Sequence, residues 1–407
     1  MTRNTKRPKE RGPWWRSIAF VLPTLVISLS ALSALVACNA GSIGIADRDA
    51  RMARDAKADD SGSSDARFHD SMVKSDASPY DSSGLDATQQ DAAPPDASSQ
   101  DCRTLGCQAN AYCDTATLTC KCLTGFEASG QSCVPVDPGD PAARTQSDMC
   151  TKWQNYHHTT ASSIWTEGPN QCDLGTLSTE SIADAIAYVN GYRYLTGLQP
   201  LSDDSNLNED AQYCAIIQYR QGSLNHHPPT SAPCYTSQGA SASSSSDLAL
   251  GTSTPAAAVD MFMDDNGVSS LGHRRWIIDP SYGPAGVGFA GNATCLYVFS
   301  WQNSGNVEFE AWPNQGFTPI SVMPTTWSFS SNHYGISSST QVAVKRLSDN
   351  NNLDVNALVL PSGFADPAIG FTPNGWTPQA GETYEVTISA LNNNQTVVYQ
   401  VKPVSCP

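Results

Sequence analysis

The chain has 407 residues, with 39 acidic against 23 basic side chains and a formal charge of −16. Much of that charge lies between residues 47 and 100, so it is not read as an acidic binding face. No basic patch follows the N-terminal segment, which argues against a nucleic-acid partner.

Arg3, Lys6, Arg7, Lys9, Arg11 and Arg16 precede an uncharged, mostly apolar run from Ser17 to Ala37. A basic segment, then an apolar run, then small residues reads as an export signal over 1–37. A run of about 20 apolar residues is also long enough to span a bilayer. The end of the run, Leu35-Val36-Ala37-Cys38, resembles the lipobox of bacterial lipoproteins. That resemblance implies lipid attachment at Cys38, membrane partnership through the lipid, and an exported protein at the cell surface or in the periplasm. An uncleaved anchor and an ordinary secretory signal are the other readings. The thirteen cysteines fit the first: without Cys38, six fall between 102 and 133 and six between 150 and 406. Even sets in an exported chain read as disulfides.

Residues 38–100 are rich in Asp, Ser and Ala, and the dipeptide Asp-Ala begins at 49, 55, 65, 76, 86, 91 and 96. So few large apolar residues cannot offset the entropy of ordering, and the segment is expected to act as an extended tether.

Residues 101–135 hold six cysteines in about 30 residues, too few for a self-sufficient core, so bridges must supply the framework. Spacing alone permits fifteen connectivities. The pattern C-x4-C-x5-C-x6-C-x-C-x10-C resembles an EGF-like module. The resemblance implies Cys102–Cys113, Cys107–Cys120 and Cys122–Cys133. Only Asp101 directly precedes the first cysteine, so calcium is not expected there. A rigid spacer is the favoured role for this part.

In the 141–302 region, "TESIADAIAYVNGYRYLTGL" from residue 179 places Ile182, Ile186 and Val189 at helical spacing, with Thr179 as N-cap and Gly197 as stop. A second helix is expected over about 205–221, with Leu207, Ala211, Cys214 and Ala215 on one face. A third starts at Pro255, with Val259, Phe262 and Met263 inward. "AGVGFA" and "TCLYVFSW" read as short strands. The serine run "SASSSSD" at 241–247 reads as a flexible loop. Helices flanking a small sheet give an α+β fold in α-β-α layers. Over 303–407 the pattern shifts to short strands separated by Gly, Pro and Asn, in which Tyr384, Val386 and Ile388 alternate with polar neighbours. These predict a small β-sandwich.

"VNGYRYLTGLQPL", "LNEDAQYCA", "LNHHPP", "CYTSQGA", "GHRRWIIDP" and "GVGFA", in that order, resemble the CAP (SCP-like) superfamily of secreted proteins. Many members hold two histidines and two acids around a cleft. The resemblance places the first histidine at His226 in preference to His227, and the second at His273. It places one acid at Asp265, with Asp264 as neighbour. The other acid should follow Gly239, where this chain has Ala240. Imidazole and carboxylate together suit a divalent cation such as zinc, the one cofactor this set would take.

Two readings of His226, Asp265 and His273 stand. They form a partial cation site, or they are hydrogen-bonded histidines tying helix to loop. The second is favoured, because a nucleophile and a full acid–base set are both missing from the sequence. Arg274 and Arg275 are expected to pair with surface acids or to cap a helix end. No G-x-S-x-G or H-E-x-x-H occurs. Cys150, Cys172, Cys214, Cys234, Cys295 and Cys406 are assigned to disulfides, with Cys150–Cys172 chosen by proximity. The expected role is a surface-tethered binding or interaction lipoprotein rather than an enzyme, its extracellular ligand a lipid or a macromolecule. The alternatives are a metal-dependent hydrolase of peptidase type and a structural adhesin.

Overall fold

The computed structural model describes residues 101–303, 305 and 307–407. The export signal, the lipobox with Cys38 and the acidic tether lie outside the described residues. Among those described, no helix is long and apolar enough to cross a membrane.

The first part is a four-residue helix, α1 (Cys102–Leu105), and two hairpins, β1 (Ala111–Asp114) with β2 (Thr119–Cys122) and β3 (Phe126–Ser129) with β4 (Ser132–Pro135). Bridges join Cys102 to Cys113, Cys107 to Cys120, and Cys122 to Cys133.

The middle part begins with α2 (Gln146–Tyr156) and a two-residue pairing of β5 (Trp165–Thr166) with β6 (Thr176–Leu177). Next come α3 (Thr179–Thr196), α4 (Ser205–Gln221) and α5 (Ser237–Ser244). The strand β7 (Ser246–Leu250) leads to α6 (Pro255–Asp264) and α7 (Gly272–Ile277). The hairpin β8 (Gly286–Ala290) and β9 (Ala293–Tyr297) completes the sheet, in the antiparallel order β7-β9-β8. Local chemistry sets the helix ends. Ser178, not Thr179, caps α3 by accepting from Ser181 N, and Gly197 ends it in the left-handed region. Thr254 caps α6 ahead of Pro255.

Strand alternation then builds three layers. Leu248, Ala290 and Cys295 face α4 and α5, while Ala249, Val287 and Leu296 face α3, α6 and α7. Gly286 and Gly288 explain how closely α4 lies on β8: a Cβ at Gly288 would sit 2.1 Å from the Ala211 carbonyl oxygen. The α-β-α architecture expected from the sequence is present.

The serine run is not a loop. It forms the end of α5 and the start of β7, and Ser243, Ser246 and Asp247 are buried. Ser243 Oγ donates to the Gly239 carbonyl and accepts from the Gln218 side chain, so this serine is buried without losing its hydrogen bonds.

The last part packs two sheets face to face. One runs β10 (Glu310–Trp312), β12 (Trp327–Ser330), β16 (Ala368–Pro373), β15 (Val355–Val359). The other runs β11 (Gly316–Pro319), β18 (Val397–Val404), β17 (Tyr384–Ser389), β13 (Gln341–Arg346), β14 (Asn351–Leu353), with β11 parallel to β18. Tyr384, Val386 and Ile388 face Trp327, Phe329 and Phe371 across the sandwich. The sandwich is not independent of the middle part, because Trp312, Phe364 and Val404 belong to the core built by α3, α6 and α7.

The disulfides of these parts correct one expectation. Cys150 bonds Cys406, not Cys172; Cys172 bonds Cys234, and Cys214 bonds Cys295. Proximity in sequence failed because α2 packs beside the chain end, where Val404 and Cys406 contact the core that holds Cys150.

Candidate functional site

His226 and His273 line one open cleft with Ser244, Ser246, Asp247 and Trp276. The cleft encloses about 380 Å³, counting space open to solvent. Each histidine is held from behind. Nδ1 of His226 lies 2.9 Å from the Ser243 carbonyl, which can only accept, so Nδ1 donates. Nδ1 of His273 lies 2.7 Å from the Asp265 carboxylate, itself 1% exposed against 22% for the ring. These contacts fix the orientation of both rings from the Nδ1 side.

The sequence placed Asp265 among the ligands; the structure places it behind His273. Asp265 closes α6 in the left-handed conformation, φ 51°, which Asp tolerates, and this turns its carboxylate to His273 Nδ1 and the Arg274 N–H. The acid that lines the cleft is Asp247 on β7, which the sequence reading missed. Ala240, at the position of the missing family acid, contributes only a methyl group. His227 is exposed and does not line the cleft. Asp264 accepts from the Thr325 N–H with its side chain and from Arg274 with its carbonyl. Among the described residues, the one trio of Cys, His, Asp or Glu close enough to share an ion is Cys102, Cys107 and Cys120, whose sulfurs are in disulfides. The set His226, Asp265 and His273 is therefore not assembled around one point.

Arg274 and Arg275 are not surface cations: they are 0% and 2% exposed. Arg274 does cap a helix end, donating to the Met263 and Asp264 carbonyls of α6, and it also reaches the Thr326 carbonyl in the sandwich. Arg275 donates to the carbonyls of Ser270, Pro361 and Asp366. Burial lowers both guanidinium pKa values to about 10, so both remain charged at neutral pH. They fasten the sandwich against the cleft. Phe364, from a sandwich loop, then forms one cleft wall and lies over Gly272, where a Cβ would come 2.7 Å from its ring.

The other wall is aromatic as well. Trp276 packs edge-on to Phe299 at 4.9 Å, and both line the cleft. Phe299 in turn stacks on Trp301 at 5.9 Å.

Residues 186–303 match the CAP model, the cysteine-rich secretory protein family. No curated protein and no solved structure matches the chain. The CAP segment holds both histidines, Asp247, Asp265 and the Trp276–Phe299 wall. Phe364 comes from outside it, so the cleft joins a CAP core to an added wall. Disulfides in the CAP core and in the parts before and after it fit a chain that matures in an oxidising, extracellular setting.

Proposed function

We propose that the protein is a surface-tethered extracytoplasmic binding module whose recognition site is the His226–His273 cleft. An acyl anchor at Cys38, the acidic tether and an EGF-like stem over 101–135 hold the CAP core away from the membrane. One observation carries this reading: the His226 and His273 rings, each held at Nδ1, line one open cleft together with Asp247, Trp276, Phe299 and Phe364. A rigid adhesin spacer has no use for titratable side chains gathered around an open cleft. Hydrolysis is not favoured. Ser246 and the imidazoles line the same cleft, but no hydrogen bond of the nucleophile–base kind joins Ser246 Oγ to either ring.

Binding of the purified full chain to isolated bacterial envelopes, measured beside hydrolysis of a fluorogenic casein with zinc present, tests this. The expected result is saturable binding that His226→Ala removes, with no turnover. Turnover abolished by His226→Ala, or binding indifferent to that change, overturns it.

A second reading, cation binding, is favoured by two histidines lining one cleft. Zinc would be held by His226 and His273 and would supply a Lewis-acidic centre; Asp247 lines the same cleft but forms no ligand-spaced trio with them among the described residues. Asp265 would then orient His273 rather than touch the ion. Zinc should raise the melting temperature of wild type and not of His226→Ala.

A further inference from the structure

Segment 361–367 of the sandwich reaches the CAP core and serves two places there. Phe364 enters the cleft wall and is buried. Two residues on, Asp366 lines a separate small cavity with Arg275, Asp279, Glu310 and Ser330. Arg275 ties the segment down near both ends, donating to the Pro361 and Asp366 carbonyls. A main-chain bond from Leu360 N–H to the Ala368 carbonyl closes its base.

Glu310 is the unusual member of that cavity. It starts β10, is 3% exposed, and stands opposite Ser330 of β12, whose Oγ is buried and has no hydrogen-bond partner. The cavity is about 160 Å³ counting all gaps and is too narrow to admit a water, so a charge formed there is not hydrated. Asp279, from the turn after α7, and Asp366 add negative charge to the same space. Arg275 on α7 is the one cation lining it among the described residues, and its hydrogen bonds go to the carbonyls of Ser270, Pro361 and Asp366. Arg193 of α3 reaches the carbonyls of Gln199, Ile277 and Asp279 and does not line the cavity. Burial first, then the charges of Asp366 and Asp279, push the Glu310 carboxyl well above the ordinary carboxylate range.

We infer that segment 361–367 is a strap over the cleft, fastened while the Glu310 carboxyl is neutral and released when it loses its proton to solvent. A carboxylate at 310 repels Asp366 and competes with the two strap carbonyls for the Arg275 guanidinium, and both effects loosen the strap. Phe364 then leaves the cleft wall and its place over Gly272. Control of ligand entry by the strap rests on the cleft being the recognition site; release of the strap does not.

Chymotrypsin cuts after large apolar residues and cannot seat Phe364 while that ring is packed in the wall. Cleavage of the full chain after Phe364 between pH 6 and pH 9 tests the inference, each rate being divided by that of an unstructured peptide of the same local sequence at the same pH. The ratio should rise about tenfold or more in wild type, since each pH unit between the ordinary and the raised carboxyl pKa changes the open population by up to about tenfold. It should stay flat in Glu310→Gln, whose carboxamide has a similar shape and no proton to lose. Melting curves check folding, and Glu310→Met replaces Glu310→Gln if the latter does not melt cooperatively. No rise in wild type, or an equal rise in the variant, overturns the inference. Envelope binding at the same pH values separates the two readings. Binding indifferent to His226→Ala removes the cleft's role and leaves the strap, whereas a flat cleavage ratio in wild type removes the strap and leaves the cleft.

Discussion

Asp265→Asn isolates the group that orients His273. Asn tolerates the left-handed conformation at φ 51° as well as Asp does, so the turn after α6 should survive. What changes is charge. The buried carboxylate accepts from His273 Nδ1 at 2.7 Å and from the Arg274 N–H at 3.3 Å, and it faces the buried Arg274 guanidinium. A hydrogen bond to a charged group contributes about 1.5–3 kcal/mol. For a body of this size each kcal/mol moves the melting temperature by roughly 2–4 °C, so a fall of at least about 3 °C is expected in calorimetry. The carboxamide can turn its NH₂ toward the ring, which then takes the other tautomer and moves its lone pair to Nδ1. Ring ¹⁵N shifts should report that exchange for His273 and not for His226, whose Nδ1 proton is held by Ser243. An unchanged melting temperature together with an unchanged His273 tautomer would refute the assignment of Asp265 as the orienting acid.

His157 predicts a pH effect away from the cleft. It stacks on Trp153 at 3.4 Å and bonds Asp260, and its burial lowers the imidazole pKa below the ordinary 6.5. The unfolded chain therefore takes up this proton more readily than the native one, so the contribution is complete above about pH 6.5 and is lost as pH falls below it. Wild type should lose stability between pH 7 and pH 5 more steeply than His157→Gln, by at most about 1.4 kcal/mol per pH unit in urea titrations; equal slopes would contradict this. Cys406→Ser opens the bridge to Cys150, which spans 256 residues, and the chain-entropy estimate for so long a loop is about 5 kcal/mol; the expected signature is a lower midpoint in guanidinium. Arg275→Met leaves the Ser270, Pro361 and Asp366 carbonyls without their donor, at about 1–3 kcal/mol for each group left unsatisfied. Limited proteolysis should then cut between the CAP core and the sandwich before either is degraded. Gly288→Ala forces a methyl group against the Ala211 carbonyl and should cost about 1–3 kcal/mol or more, read by thermal melting.

The helices were legible because each carries its own signals. Periodic apolar residues, a capping hydroxyl and a terminal glycine define α3, and α6 has Thr254 and Pro255 at its start. The strand β7 was hidden. Its serine-rich approach has no apolar alternation, and its burial comes from being sandwiched between α5, α6 and β9. With β7 hidden, Asp247 could not be recognised as the acid of the cleft. The motif resemblance pointed to His226 and His273, yet it could not show what holds each ring at Nδ1.

The sequence by itself determined the three long helices, the even cysteine sets and the two histidines, because these depend on residues near one another or on single residue types. The tertiary structure alone decided the partner of Cys150, the burial of Arg274 and Arg275, the withdrawal of Asp265 behind His273, and the arrival of Phe364 and Asp247 at the cleft. Each of those depends on which distant surfaces pack together, and a turn in the left-handed region or a buried carbonyl 91 residues away leaves no periodic trace in the chain.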